Sequence, residues 1–92
     1  MFRSEKLRRA VAELDCQWCG IGGETQAAHR NQGKGMGMKT SDALVAALCC
    51  ECHRQLDSGK LLERQERREM WDAAFIKTMQ ALIENGKLTV KG

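Results

Sequence analysis

Two pairs of cysteines, each with the spacing Cys-x-x-Cys, constrain this chain more than any other feature. The pairs are Cys16/Cys19 and Cys49/Cys52, and 29 residues lie between them. Each Cys-x-x-Cys turn brings two sulfur atoms together, and two such turns complete the closed tetrahedral shell of four thiolates typical of structural Zn²⁺. We therefore predict a structural zinc site with these four cysteines as ligands. Cys50 does not fit the spacing and is expected to be a small buried residue or a nonessential thiol.

The short chain makes such an added source of stability necessary. Its 92 residues correspond to one small domain over residues 1–92, and a domain of this size buries only about 60% of its unfolded surface. The apparent binding energy of structural zinc is about 10–16 kcal/mol. Two other hypotheses remain for the cysteines: buried free thiols, or a redox pair, which would need a thioredoxin-like βαβ pattern that is missing.

Apolar periodicity predicts a helix at each end of a small α+β domain. The first helix has Ser4 as a suitable N-cap, and Asn85-Gly86 suits the end of the second. Between the helices, residues 24–29 predict a strand, and residues 43–48 predict a helical or extended run. An N-cap signal for the second helix lies at Asp57-Ser58-Gly59. The predicted parts are an N-terminal helix, a zinc-stapled core and a long C-terminal helix, over residues 1–15, 16–60 and 61–85.

Charge and apolar patterning bear on partners and location. The net charge is +3, and all of this surplus lies in residues 1–40. Such a surplus suits a phosphate backbone, although a solvated helix face explains it equally well.

We expect no export signal and no membrane span, because the longest apolar run, residues 43–50, is far shorter than the about 20 residues that a bilayer needs. The predicted location is the cytoplasm, where clustered cysteines more often hold metal than form disulfides.

The chain has two histidines, and both lie beside the cysteine framework. His29 ends the predicted strand, and His53 directly follows Cys52. Each has a structural interpretation: His29 as a surface residue, and His53 as a residue packed beneath the zinc turn. Because one scaffold would hold both, with Asp42 between them in sequence, they are also candidates for a shared site.

Four short stretches together resemble a known family. They are Ala-His-Arg at 28–30, Gly-Met-Gly-Met-Lys at 35–39, Ser-Asp-Ala-Leu-Val at 41–45, and Cys-x-x-Cys-His at 49–53 with its continuation to Leu56-Asp57. This combination resembles the zinc-stapled branch of the HNH (ββα-metal) endonucleases, and within that branch the YbcO-type prophage nucleases. The likeness spans residues 13–60 and implies a zinc-stapled ββα-metal hairpin between the two terminal helices.

The resemblance also implies a role for each matching residue. His29 would be the general base that activates a water molecule. Asp42 takes the middle position of the motif, which orients the base or shapes the loop. His53 would bind a catalytic Mg²⁺ or Mn²⁺ ion, with Asn31 and Asp57 as further candidate ligands.

The implied function is a metal-dependent DNA endonuclease that hydrolyses phosphodiester bonds in phage or prophage recombination or DNA processing. Its DNA backbone contacts would come from Arg30, Lys34, Lys39 and the N-terminal basic residues. Cutting both strands would need two copies, which makes a homodimer one candidate assembly.

Ala28 stands where HNH enzymes often carry an acidic or histidine ligand, which favours a non-catalytic zinc-ribbon module that binds nucleic acid. A zinc-stabilised protein-interaction module is the third hypothesis. Trp18 would stack on a base or pack over the zinc site.

Overall fold

A two-stranded antiparallel hairpin lies at the centre of the fold, with helices on both of its faces. The structure is a computed structural model that describes residues 2–30, 41–58 and 63–90. Its elements are α1 (Glu5–Ala12), β1 (Thr25–His29), β2 (Val45–Cys49), α2 (Cys50–Ser58) and α3 (Arg64–Glu84). The prediction of a small α+β fold with a helix towards each end is confirmed. Among the described residues, no helix is long and apolar enough to cross a membrane.

The hairpin has one fixed register, from Thr25 opposite Cys49 to His29 opposite Val45. All five residues of β2 are buried, because the strand is covered on both faces. Side chains alternate along a strand, so the face that carries Ala28 packs against α2 and the first half of α3, around Trp71. The opposite face packs against α1 and the end of α3, in a second cluster made by Val11, Val45, Ala47 and Leu82.

Two of the three predicted capping signals lie at helix ends. The Ser4 hydroxyl accepts a hydrogen bond from the Leu7 amide at 3.1 Å, and α1 starts directly after it. Asn85 is the C-cap of α3, and Gly86 follows with a φ of +74°, which an L side chain rarely adopts. The long helix begins at Arg64 after Glu63, whose amide donates to the Glu66 side chain at 3.0 Å.

At the element level, one open prediction is decided and another is wrong. The run at residues 43–48 is predicted as helical or extended, and its residues 45–48 are extended and form most of β2. The predicted cap at Asp57 is wrong, because Asp57 and Ser58 form the last turn of α2, a helix that periodicity did not reveal. Gly59 lies outside the described residues.

Candidate metal centre and histidine pairs

The four predicted cysteine ligands converge at one point. Cys16 and Cys19 lie in the loop after α1, Cys49 ends β2, and Cys52 lies in the first turn of α2. All four sulfur atoms lie within 4.8 Å of one another, and the Sγ atoms of Cys19 and Cys49 are 3.6 Å apart. Four sulfurs at the Zn–S distance of about 2.3 Å would be about 3.8 Å apart in a tetrahedron. The residues therefore form a site that is capable of binding zinc.

The backbone of each turn supports the sulfur that opens it. The amide of Cys19 points at Cys16 Sγ at 3.4 Å, and the amide of Cys52 points at Cys49 Sγ at 3.5 Å. Gly20 closes the first turn with a φ of +85°, which is easily reached only without a Cβ atom. In both turns an amide N–H group, which carries a partial positive charge, points at a sulfur atom. This arrangement stabilises the thiolate form of that sulfur.

The thiols differ in acidity. Burial opposes ionisation of Cys16, but hydrogen bonds from the backbone of Cys19, Cys49 and Trp18 outweigh it and lower the pKa of Cys16 to about 6. Burial and the neighbouring sulfurs raise the pKa of Cys52 above its usual range. Four adjacent thiolates need a cation, so metal binding by this set would release protons.

Cys50 is exposed at the start of α2. The prediction of a small buried residue is therefore wrong for this cysteine, because the turn from strand to helix points Cys49 inward and Cys50 outward. The alternative of a nonessential thiol remains a prediction.

His29 pairs with a fully buried carboxylate. Its Nε2 atom lies 2.8 Å from Asp42 Oδ1, and the Asp42 side chain has no exposed surface whereas that of His29 is 30% exposed. An ionised carboxylate can only accept, so Nε2 carries the proton and donates it. Within the described part of the chain, His29 Nδ1 has no hydrogen-bond partner.

Asp42 accepts three hydrogen bonds and forms one further ion pair. Oδ1 accepts from His29 Nε2 and from Arg3 Nη1 at 3.2 Å, and Oδ2 accepts from the Ser4 amide at 2.8 Å. The Arg8 guanidinium forms an ion pair with Oδ2, with Nε at 3.1 Å. The hydrogen bonds from His29 and Ser4, together with the charges of Arg8 and Arg3, outweigh burial and lower the pKa of Asp42 from 3.8 to about 2. Asp42 is therefore ionised throughout the physiological range of pH.

His53 has a separate pair of partners on α2 and β1. Its Nδ1 lies 2.8 Å from Gln26 Oε1, and its Nε2 lies 3.6 Å from Asp57 Oδ2. An amide oxygen accepts, so Nδ1 is the donor, and Nε2 faces a carboxylate oxygen. An imidazole nitrogen and a carboxylate oxygen one helical turn apart are atom types that bind divalent cations.

The structure does not join the two histidines directly. His29 lies on the face of β1 that packs towards α1, whereas His53 contacts Gln26, whose side chain belongs to the other face. Ala28 is fully buried, and its carbonyl oxygen accepts from Trp71 Nε1 at 2.9 Å. Neither part of Ala28 can therefore bind a metal ion.

The remaining predicted contacts fall into two groups. Asn31, Lys34 and Lys39 lie outside the described residues. Arg30 directly follows β1 and is partly buried, and its amide donates to the Leu44 carbonyl at 3.1 Å. Of the N-terminal basic residues, Arg3 and Arg8 bind Asp42.

Trp18 is half-exposed and lines an open cleft of about 400 Å³ beside the cysteine cluster. Met70 and Ala73 form the apolar part of the cleft, and its polar lining comes from Gln55, Glu66 and Glu69. Two carboxylates and the nearby thiolates make this cleft a poor place for a nucleic-acid backbone.

Sequence reasoning missed the contacts of three residues of these sites: Arg3 and Arg8, which it predicted only as N-terminal DNA contacts, and Gln26. A buried aspartate must be paired, and the basic surplus near the N-terminus supplies cations, but only the fold shows that α1 lies over Asp42. Comparisons with protein-family models, with curated proteins and with solved structures each found no match.

Proposed function

We propose that this protein is a metal-dependent DNA endonuclease of the HNH type, built around a structural zinc ion on its four clustered cysteines. The observation that carries the proposal is the His29–Asp42 pair at the end of β1. A half-buried histidine held through one nitrogen by a buried anion is the arrangement that a general base requires. The resemblance of residues 13–60 to HNH enzymes supplies the type of reaction.

The base chemistry follows from the hydrogen bonds. Asp42 keeps the proton on Nε2 of His29, so the lone pair is on Nδ1. Nδ1 can then take a proton from a water molecule that attacks a phosphodiester phosphorus. Asp42 would stabilise the imidazolium that results, since it remains an anion.

His53 and Asp57 are the residues that would hold a catalytic divalent cation. Their Nε2 and Oδ2 atoms are 3.6 Å apart, and both side chains reach solvent, which suits an ion that keeps several waters, as Mg²⁺ does. Gln26 fixes the imidazole through its other nitrogen. When bound, such an ion would stabilise the charge on the phosphate and on the leaving oxygen.

The zinc ion would be structural, because four thiolates close its coordination shell. It would tie the loop after α1 to the junction of β2 and α2, where Cys49 and Cys52 lie. This junction also carries His53 and Asp57 on α2, so the metal centre fixes the helix that holds the candidate cation ligands.

Supercoiled plasmid tests the proposal directly. Zinc-loaded protein is incubated with plasmid and Mg²⁺ or Mn²⁺, beside His29→Ala and His53→Ala variants whose fold is checked by circular dichroism. We expect nicking that needs the divalent cation and is lost in both variants. Nicked plasmid should be the main product, because each chain has one site and cuts one strand. Equal nicking by wild type and His29→Ala would contradict the proposal.

A second function is favoured by one observation. Ala28, at the position where HNH enzymes often have a metal ligand, is buried and its carbonyl oxygen is already bonded to Trp71. With His53 and Asp57 as the candidate cation ligands among the described residues, this second function is that of a zinc-stabilised nucleic-acid-binding module without catalysis. That function predicts DNA binding that weakens with salt, and no nicking under any metal condition.

A further inference from the structure

The N-terminal segment, residues 2–8, supplies most of the groups that hold Asp42. Arg3 Nη1 and the Ser4 amide donate hydrogen bonds to the carboxylate, and Arg8 Nε forms an ion pair with its Oδ2 atom at 3.1 Å. The Asp42 amide also donates to the Phe2 carbonyl at 3.0 Å. This segment lies before residues 13–60, the part of the chain that resembles HNH enzymes, so none of these groups belongs to the motif.

The arrangement fixes the orientation of the carboxylate as well as neutralising its charge. One guanidinium would neutralise Asp42, yet the carboxylate is bound by two, one on each oxygen. Arg8 and the Ser4 amide hold Oδ2, which prevents rotation of the carboxylate and keeps Oδ1 opposite His29 Nε2. His29 is partly exposed, whereas Asp42 is fully buried, so packing restricts the rotation of the imidazole ring less than that of the carboxylate.

We infer that Arg8, acting with Arg3 through Asp42, is a positioning residue that keeps the proton of His29 on Nε2 and leaves Nδ1 as the base. The role in catalysis rests on the proposed nuclease function, whereas the effect on the imidazole does not. Arg8 never needs to contact the substrate for this role. Its loss should therefore change the rate of the chemical step rather than the affinity for DNA.

Arg8→Gln is the test variant, and Lys77→Gln is its control. Lys77→Gln also removes one positive charge, but Lys77 lies on an exposed face of α3. Arg8→Lys is a third variant, since an ammonium group can still bind Oδ2. Plasmid nicking gives kcat and KM, and long-range ¹H–¹⁵N spectra at one fixed pH report which nitrogen of each histidine carries the proton.

For wild type and Lys77→Gln, we expect His29 in the Nε2–H form and equal kcat. For Arg8→Gln we expect a mixture of both tautomers and a kcat about 10-fold lower, as for other residues that orient a functional group, with KM within about 2-fold. Arg8→Lys should recover most of both properties.

Three results would overturn the inference. They are an unchanged tautomer in Arg8→Gln, an equal loss of kcat in Lys77→Gln, and a raised KM at constant kcat in Arg8→Gln, which would make Arg8 a DNA contact. If the wild type does not cut DNA, the nuclease proposal fails, and the tautomer of His29 in the same variants still decides whether Arg8 positions it.

Discussion

At the scale of single residues, Cys49 and Cys50 differ in environment although they are neighbours in sequence. Cys49 is 1% exposed and its sulfur belongs to the four-cysteine cluster, whereas Cys50 is exposed at the start of α2. The change from strand to helix between them separates the two side chains. The pair therefore allows the same substitution to be made inside and outside the metal centre.

Cys49→Ser should abolish metal binding and most of the stability of the fold. A serine hydroxyl is a poor zinc ligand, and structural zinc contributes an apparent binding energy of about 10–16 kcal/mol. Cys50→Ser should bind one zinc ion per chain and unfold at the wild-type temperature. Zinc content of the purified proteins and thermal unfolding by circular dichroism measure both effects. One bound zinc in Cys49→Ser would contradict the assignment of the ligands.

Asp42→Asn should destabilise the protein at neutral pH by about 3 kcal/mol, because it breaks a buried ion-pair network. The exposed Asp72→Asn is the matched control, with an expected change below about 0.5 kcal/mol. The pKa of Asp42 is lowered to about 2, so its stabilisation is present above about pH 4 and is lost only as pH falls through about 2. Urea unfolding at pH 7 checks the difference, and equal stability of the two variants would exclude a stabilising role of Asp42.

The cysteine ligands could be predicted from sequence, but the environment of Asp42 could not. A Cys-x-x-Cys turn is local, so its spacing alone indicates that two sulfurs converge. The contact between Arg3 and Asp42 spans 39 residues, and it exists only because α1 packs across the hairpin. Tertiary contacts of this kind leave no periodic signal in the sequence.

At the scale of elements, the free edge of β2 is covered by a polar residue of α3. Thr78 is fully buried, its hydroxyl oxygen accepts from the Ala47 amide at 2.9 Å, and the hydroxyl donates to the Ala74 carbonyl at 2.7 Å. The Ala47 carbonyl accepts from the Gln17 amide at 2.9 Å. The amide and the carbonyl of Ala47, which point away from β1, are thus both hydrogen-bonded without a third strand.

Thr78→Val should lower the free energy of unfolding by about 1–3 kcal/mol, because it keeps the shape of the side chain but leaves the buried Ala47 amide without a partner. Thr78→Ser keeps the hydroxyl and loses only a methyl group, so it should cost about 1 kcal/mol. Urea denaturation of the two variants gives the comparison. A smaller loss in Thr78→Val than in Thr78→Ser would show that packing, and not the hydrogen bond, is what Thr78 contributes.

The elements whose apolar residues recur with a regular spacing could be predicted from the sequence, and the elements without such a spacing could not. The spacing of apolar residues in α1 and α3 gave both helices to within a few residues of their ends. The run that became β2 is apolar throughout because both of its faces are buried, and such a run suits a helix or a strand equally. In α2, the inward positions Cys52 and Leu56 are too few to form a recognisable stripe.

At the scale of the whole molecule, charge is divided between two regions. The cleft beside the cysteine cluster presents Glu66 and Glu69, and Trp18 of the first Cys-x-x-Cys turn lines it. Arg3 and Arg8 surround Asp42, so two cations offset one anion next to His29, and Arg30 follows directly along the chain. A polyanion should therefore approach the side of His29 and avoid the side of Trp18.

This division predicts opposite outcomes for two substitutions. Arg30→Gln should weaken binding of a short DNA duplex about 3–10-fold and reduce the slope of log affinity against log salt by about 1, since one phosphate contact is lost. Trp18→Ala should change the affinity less than about 2-fold, whereas a stacked base would be worth about 1–3 kcal/mol.

Fluorescence anisotropy of labelled DNA at several salt concentrations measures both variants, and Lys77→Gln, on an exposed face of α3, controls for the loss of one charge. Weaker binding in Trp18→Ala with no change in Arg30→Gln would mean that DNA lies in the acidic cleft. In that case the proposed base would not act on the bound strand, because neither His29 nor the groups that hold Asp42 line the cleft.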